Sequence, residues 1–143
     1  MFRYQTTIYL KDTDATGVIY FSEQLKLALQ AFETFLRPSH FSLKELLDSS
    51  YLLPIVHAEA DYLAPLTVDD EVDVILYLDK IGTSSFTLSY DFFNKTSAIL
   101  AGTAKITHVT ILKETKKSTP IPSELRVILL KLLPSLKETS CSP

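Results

Sequence analysis

Cysteine is almost missing from this chain of 143 residues, since its one thiol, Cys141, lies in a polar tail. A single thiol closes no internal disulfide and builds no four-thiolate metal site, which points to a reducing compartment. Long hydrophobic runs are missing too. No apolar stretch reaches the roughly eighteen residues of a membrane-spanning helix, and the start of the chain has neither a basic segment followed by an apolar core nor a small-residue cleavage site. A soluble, cytoplasmic protein without membrane insertion is the expectation. Positive charge is in deficit: 14 Lys and Arg face 17 Asp and Glu, for a net charge of −3. That balance argues against an extended nucleic-acid surface, although local bases could still hold a phosphorylated small molecule. Familiar catalytic signatures are absent as well. There is no G-x-S-x-G elbow and no H-E-x-x-H pair, and His40, His57 and His108 are too scattered to read as a metal set. Neither a metal nor a cofactor is expected.

What the chain does have is 46% apolar residues, enough to fill the core of one domain spanning 1–143. Residues 2–10 alternate as a strand, with Phe2, Tyr4, Thr6, Ile8 and Leu10 on one side. Residues 20–36 read as a helix, because Phe21, Leu25, Ala28, Leu29, Phe32 and Leu36 recur at three- and four-residue steps; Ser22 can cap it and Pro38 stops it. Leu27, Ala31 and Phe35 widen its apolar arc, leaving Glu23, Gln24, Lys26, Gln30, Glu33 and Thr34 to face water or a partner. A helix this apolar calls for a sheet wrapped around it. Ser42 and Glu45 have capping-box spacing for a short helix with Leu43, Leu46 and Leu47 buried.

Beyond Pro54 the pattern turns to strands over 55–63, 71–81, 85–93 and 98–113, with Gly102 marking a bulge or a close approach. Ser123 is read as the cap of a terminal helix over 123–133, and 138–143 as a frayed end. One long helix after the first of five antiparallel strands, with no helical crossovers later, makes an α+β fold in which the helix lies across the concave face of the sheet.

The chemistry concentrates in the stretch from Asp12 to Phe21, where the first strand gives way to the helix. Asp12, Asp14, Thr16, Gly17 and Glu23 match positions of a calcium-binding EF-hand loop, but such a loop needs an entering helix and a strand precedes this one. Plain turn roles for both aspartates are the bland alternative, and Asp12 is assigned one. For Asp14 two neighbours suggest more. Gly17 lets backbone approach a ligand, and the helix start supplies N–H groups that can hold an oxyanion, an arrangement suited to attack on a thioester carbonyl. His57 shares a strand face with Glu59 and Asp61, which either lines a cleft or meets solvent. His108 reads as a hydrogen-bonded structural residue. Lys116 and Lys117 are either solvated charges or an attraction for phosphates.

The run Asp12-Thr13-Asp14-Ala15-Thr16-Gly17-Val18-Ile19-Tyr20, followed by a long apolar helix, resembles the signature of hotdog-fold acyl-CoA thioesterases of the 4-hydroxybenzoyl-CoA thioesterase group. Further similarity in Leu53-Pro54-Ile55-Val56-His57-Ala58, in Asp61-Tyr62-Leu63-Ala64-Pro65 and in the linker from Lys116 to Pro122 points to the 1,4-dihydroxy-2-naphthoyl-CoA thioesterases of cyanobacterial phylloquinone synthesis. The resemblance covers 2–122. It implies a five-stranded antiparallel sheet curled around a central helix, a homo-oligomer (dimer or tetramer) with sites between subunits, and an acyl-CoA substrate. By motif position Asp14 matches the catalytic carboxylate, acting as nucleophile or as base toward water, and the Phe21 N–H matches the donor that polarises the thioester carbonyl. Gly17, Tyr20, Phe21 and His57 are the substrate-binding candidates. The sequence departs from many bacterial relatives in one place: they have histidine where Phe21 stands.

Overall fold

A computed structural model describes residues 1–134. Its main sheet contains β1 (Phe2–Thr7), β3 (Ile55–Tyr62), β4 (Glu71–Ile81), β5 (Ser85–Asn94) and β6 (Ile99–Val109), in the order β1-β4-β5-β6-β3 with every pair antiparallel. The helix α1 (Glu23–Leu36) packs on one face of this sheet. Alternation dictates which face. On β4 and β5, Val74, Leu76 and Leu78 stand in register with Phe92, Tyr90 and Leu88, and these six are buried together with Val72 and Phe86. From the helix, Leu27, Ala28, Ala31, Phe32 and Leu36 close over them, the two alanines letting the axis come near the strands. Each large side chain buried in this layer contributes about 1.5–3 kcal/mol. The architecture is the α+β arrangement expected from the patterning.

Several local readings are corrected. The first strand stops at Thr7 instead of residue 10, because the chain enters a 3-10 turn at Leu10–Asp12 in which the Tyr9 N–H goes to the Asp12 carboxylate and not to a ladder; Leu10 ends 76% exposed. The long helix begins at Glu23, not at Tyr20, and the Tyr20 N–H donates to the Asp12 carbonyl. Ser22 precedes it in αR conformation, and its hydroxyl makes no capping bond. The strand expected over 98–113 breaks at Thr110, whose N–H turns to the Ser84 carbonyl. The remainder, β7 (Ile111–Leu112), pairs with β2 (Tyr51–Leu52) in a separate two-stranded ribbon, so seven strands are present among the described residues.

The short helix α2 (Leu43–Leu47) starts as expected, the Ser42 hydroxyl accepting from the Glu45 N–H at 3.3 Å, but only Leu46 is buried. The last helix, α3 (Ser123–Leu130), has Pro122 at its cap, making Ser123 its first helical residue. Leu125, Leu129 and Leu132 are buried beneath it. Gln24, expected on the solvent side of α1, is buried. Gly102 does sit at a register shift, where Phe92 pairs with Gly102 and Phe93 with Leu100. No helix among the described residues is long and apolar enough to cross a membrane. The expected frayed end at 138–143, with Cys141, lies outside the described residues.

At one margin of the main sheet stands β3, which pairs with β6 on one side only. Among the described residues no strand lies along its other edge, and Ile55, Val56 and Tyr62 are all exposed along its length.

Candidate active site

The loop between β1 and α1 is built around Asp12. Only 3% exposed, this residue accepts the Tyr9 N–H at Oδ2 (2.9 Å) and the Lys11 ammonium at Oδ1 (3.1 Å), while its own carbonyl accepts the Tyr20 N–H (2.8 Å). Both ends of the loop are thereby closed on one residue. Inside it, Thr13 and Ile19 form an antiparallel bridge, the Asp14 N–H donates to the Val18 carbonyl (3.0 Å) and the Gly17 N–H donates to the Asp14 carbonyl (3.1 Å). Gly17 completes this turn at φ 80°, a left-handed value that a side chain resists. A Cβ placed there would meet nothing within 4 Å, so backbone conformation, not crowding within the chain, sets the requirement for glycine. The loop docks on the segment after β3 through the Ile19 N–H, which donates to the Leu66 carbonyl at 2.7 Å.

Asp14 lies at the exposed tip of this turn. Its Oδ1 accepts both the hydroxyl of Thr16 (2.5 Å) and the Thr16 N–H (2.8 Å). The hydroxyl bond, followed by the backbone bond, holds the carboxyl below its ordinary range, against a smaller opposing effect of desolvation. The Thr16 hydroxyl and N–H are thus the local donors that stabilise the charged form of Asp14. Thr16 is the site residue that sequence patterning passed over; its signal was the D-x-T spacing of an Asx turn.

Phe21 follows directly. Its N–H, like that of Ser22 after it, donates to no group among the described residues, whereas the N–H groups of Tyr20 and Glu23 are both bonded. Its carbonyl accepts the Tyr62 hydroxyl. The rings of Tyr20 and Phe21 lie 4.8 Å apart and both are exposed, forming an aromatic surface beside the free donor. Asp14, Gly17, Tyr20 and Phe21 thus share one hydrogen-bonded loop.

His57 is elsewhere within the single chain. It stands on β3 five residues before Tyr62, about 17 Å along an extended strand. Its ring is exposed, with Nε2 3.9 Å from the Glu59 carboxylate. His108 is a core residue, 4% exposed, its ring stacked 5.2 Å from Phe86. Since a carbonyl only accepts, His108 Nδ1 carries the proton given to the Leu53 carbonyl at 3.0 Å. Burial pushes this imidazole down in pKa, partly offset by that bond. Beside it, a pocket of about 300 Å³ runs along the second half of α1, lined mainly by Leu29, Phe32, Leu36, Leu46 and Ile55. Lys116 and Lys117 are exposed in the turn after β7. The calcium-loop spacing does not become a calcium loop, because Asp12 turns inward and Glu23 pairs with Lys26 at 3.0 Å.

A family model of the thioesterase-like superfamily matches residues 8–129, and the chain belongs to that family. Among its relatives, the 1,4-dihydroxy-2-naphthoyl-CoA hydrolase of Synechocystis is 32% identical over 92% of this chain and 96% of its own length. The enzyme of the same name from Rippkaea orientalis is 36% identical over 85% and 90%. The crystal structure of the Synechocystis 1,4-dihydroxy-2-naphthoyl-CoA thioesterase superposes with a TM-score of 0.85, covering 92% of this chain and 96% of that one. A Staphylococcus aureus protein solved in complex with CoA shares the fold at a TM-score of 0.85 and 20% identity, covering 94% of this chain and 87% of that one. The hotdog fold expected from the sequence is the fold of this family.

Proposed function

We propose that this protein hydrolyses an aromatic acyl-CoA, with 1,4-dihydroxy-2-naphthoyl-CoA as its substrate. The observation that carries this reading is the pairing, on one loop, of an ionised carboxylate at Asp14 with an unpartnered backbone N–H at Phe21. The family relationship supplies the thioester, and the named relatives supply its naphthoyl group.

The two groups divide the work. The Phe21 N–H donates a hydrogen bond to the carbonyl oxygen and stabilises the charge that builds there as the carbon becomes tetrahedral. Asp14 either adds its oxygen to that carbon, the C–S bond breaking to give an acyl-aspartyl anhydride and CoA thiolate, or takes a proton from the water that adds instead, the C–S bond then breaking to release the free acid and CoA, whose thiolate takes the proton back from Asp14. In the first route water then hydrolyses the anhydride and restores the carboxylate. Because a carboxylate is a modest nucleophile, orientation and oxyanion stabilisation provide much of the acceleration. The exposed rings of Tyr20 and Phe21 offer faces for an aromatic acyl group. Gly17 leaves its side of the turn open to the substrate.

The working unit in this reading is a homo-oligomer in which two copies meet along β3. An open strand edge flanked by exposed Ile55, Val56 and Tyr62 is a surface that soluble proteins cover. Pairing about a two-fold axis would bring the His57 end of one β3 toward the Tyr62 end of the other, the arrangement by which His57 could join the site.

The test is thiol release measured across aromatic and aliphatic acyl-CoAs with the native protein and Asp14→Asn. Preference for the dihydroxynaphthoyl thioester and a loss of at least about a hundredfold in the variant are expected. Reaction with short aliphatic thioesters alone would end the naphthoyl assignment. Near-native turnover by folded Asp14→Asn would remove Asp14 from the chemistry.

A further inference from the structure

Helical periodicity puts Gln24 on the polar side of α1, yet it is 1% exposed. Its side chain leaves the first helical turn and reaches the sheet, where Nε2 donates to the carbonyls of Asp61 (3.1 Å) and Thr103 (3.0 Å). Those two residues are register partners across β3 and β6. The amide lies over Gly102: a Cβ there would come within 2.7 Å of both amide atoms and 2.8 Å of the Asp61 carbonyl oxygen. The β5–β6 register shift falls at the same point. A bulge and a residue without a side chain therefore coincide where the first turn of α1 docks. One residue along from Asp61, the Tyr62 hydroxyl donates to the Phe21 carbonyl. The end of β3 holds the helix start at two places, Phe21 and Gln24, one helical turn apart.

We infer that Gln24 and Tyr62 are positioning residues that aim the Phe21 N–H at the thioester oxygen by fixing the start of α1 to the end of β3. The inference rests on the reading of that N–H as the oxyanion donor. A hydrogen bond prefers an angle above about 150° and weakens steeply below about 120°, so a donor at a helix end is useful only if the end cannot swivel. Apolar packing beneath α1 fixes its distance from the sheet but resists rotation and sliding poorly, because dispersion contacts are not directional. Two bonds from one amide to two strands are directional, and the hydroxyl bond to Phe21 fixes the residue that bears the donor.

Gln24→Met keeps the length and removes both donors; Tyr62→Phe removes only a hydroxyl. Both are compared with native protein and with Asp14→Asn for kcat and KM on 1,4-dihydroxy-2-naphthoyl-CoA, for melting temperature, and for the acid limb of the kcat/KM profile. A donor that matters most in the transition state predicts that kcat falls about tenfold or more in Gln24→Met and about threefold in Tyr62→Phe, with KM changed by less than about threefold. The acid limb stays in place, since the Thr16 bonds to Asp14 are untouched. Lower melting temperatures with native kcat in the folded variants would make these residues merely structural and overturn the inference. Should Gln24→Met fail to fold, Tyr62→Phe decides the matter, because it removes a single hydroxyl and keeps the ring. Native kcat in these variants beside an inactive Asp14→Asn rejects the positioning role and leaves the site standing; native kcat in Asp14→Asn rejects the site and this inference with it.

Discussion

Asp12 and Asp14 are two residues apart in one motif, and the proposed function gives them opposite duties, which makes Asp12→Asn a sharp perturbation. Asparagine has the shape of aspartate, and its carbonyl can still accept the Tyr9 N–H that now lies 2.9 Å from Oδ2. The change is therefore from a charged to a neutral acceptor at a buried site. Hydrogen bonds to charged groups contribute roughly 1.5–3 kcal/mol and neutral ones roughly 0.5–1.5, so the expected loss is about 1–1.5 kcal/mol. The Lys11 partner is mostly solvated and can turn away, adding little. At about 2–4 °C per kcal/mol for a chain near this length, the melting temperature should fall by about 2–6 °C. The Asp12 carbonyl that accepts the Tyr20 N–H is unaffected, so the loop stays closed and turnover remains within about twofold. Calorimetry and thiol release on the same preparation read both quantities. An unchanged melting temperature with turnover down by an order of magnitude would refute the division of labour and move the chemistry toward Asp12.

Thr16→Val removes the hydroxyl that does most to depress the Asp14 pKa, so the acid limb of kcat/KM should move to higher pH while activity at neutral pH persists; an unmoved limb would separate that limb from Asp14. Gly102→Ala should cost about 1–3 kcal/mol by overpacking, since one obstructing atom is backbone, and a variant melting at the native temperature would show that the bulge tolerates a side chain. His108 has a folded pKa depressed by burial, so its contribution to stability is complete above the unfolded value near 6.5 and is lost as pH falls below it. Urea denaturation at pH 7.5 and pH 5.5 should show that loss in the native protein and a smaller one in His108→Phe; equal losses would assign the pH dependence to other groups.

Much of this was legible in the sequence because periodicity reports which face a side chain buries. The alternation in residues 71–81 and 85–93 located β4 and β5 almost to the residue, and the spacing from Leu25 to Leu36 identified the helix they enclose. Periodicity failed where backbone groups found partners outside regular ladders. Nothing local to residues 8–10 says that the Tyr9 N–H will prefer a carboxylate three residues on, or that Thr110 will turn to Ser84 and divide a strand. Gln24 was misplaced for a related reason: a polar side chain at a polar-face position is assigned to water unless the carbonyls across the fold that receive it are known, and Asp61 and Thr103 lie 37 and 79 residues away. Gly102 was the visible half of that contact. At the site itself, the motif located the loop, but the bond from Thr16 to Asp14 and the free N–H of Phe21 are properties of a folded turn.

The phenylalanine at position 21 then poses less of a difficulty than it does in the sequence, where a histidine would have suggested a second catalytic side chain. An oxyanion donor made of backbone needs only an N–H that the helix ladder does not use and a chain that cannot rotate it away. The first requirement is met because Phe21 precedes α1, which begins two residues later at Glu23, and its N–H has no partner among the described residues. The second is met from the sheet, through Tyr62 and Gln24. Neither depends on what the side chain at 21 is, so that side chain is free to serve the substrate, and an exposed ring packed beside Tyr20 is suited to an aromatic acyl group. Phe21→His should accordingly leave the oxyanion donor intact and act mainly through acyl recognition, raising KM for the naphthoyl thioester more than it lowers kcat. A variant with unchanged KM and kcat reduced a hundredfold would contradict a backbone donor that is indifferent to its side chain.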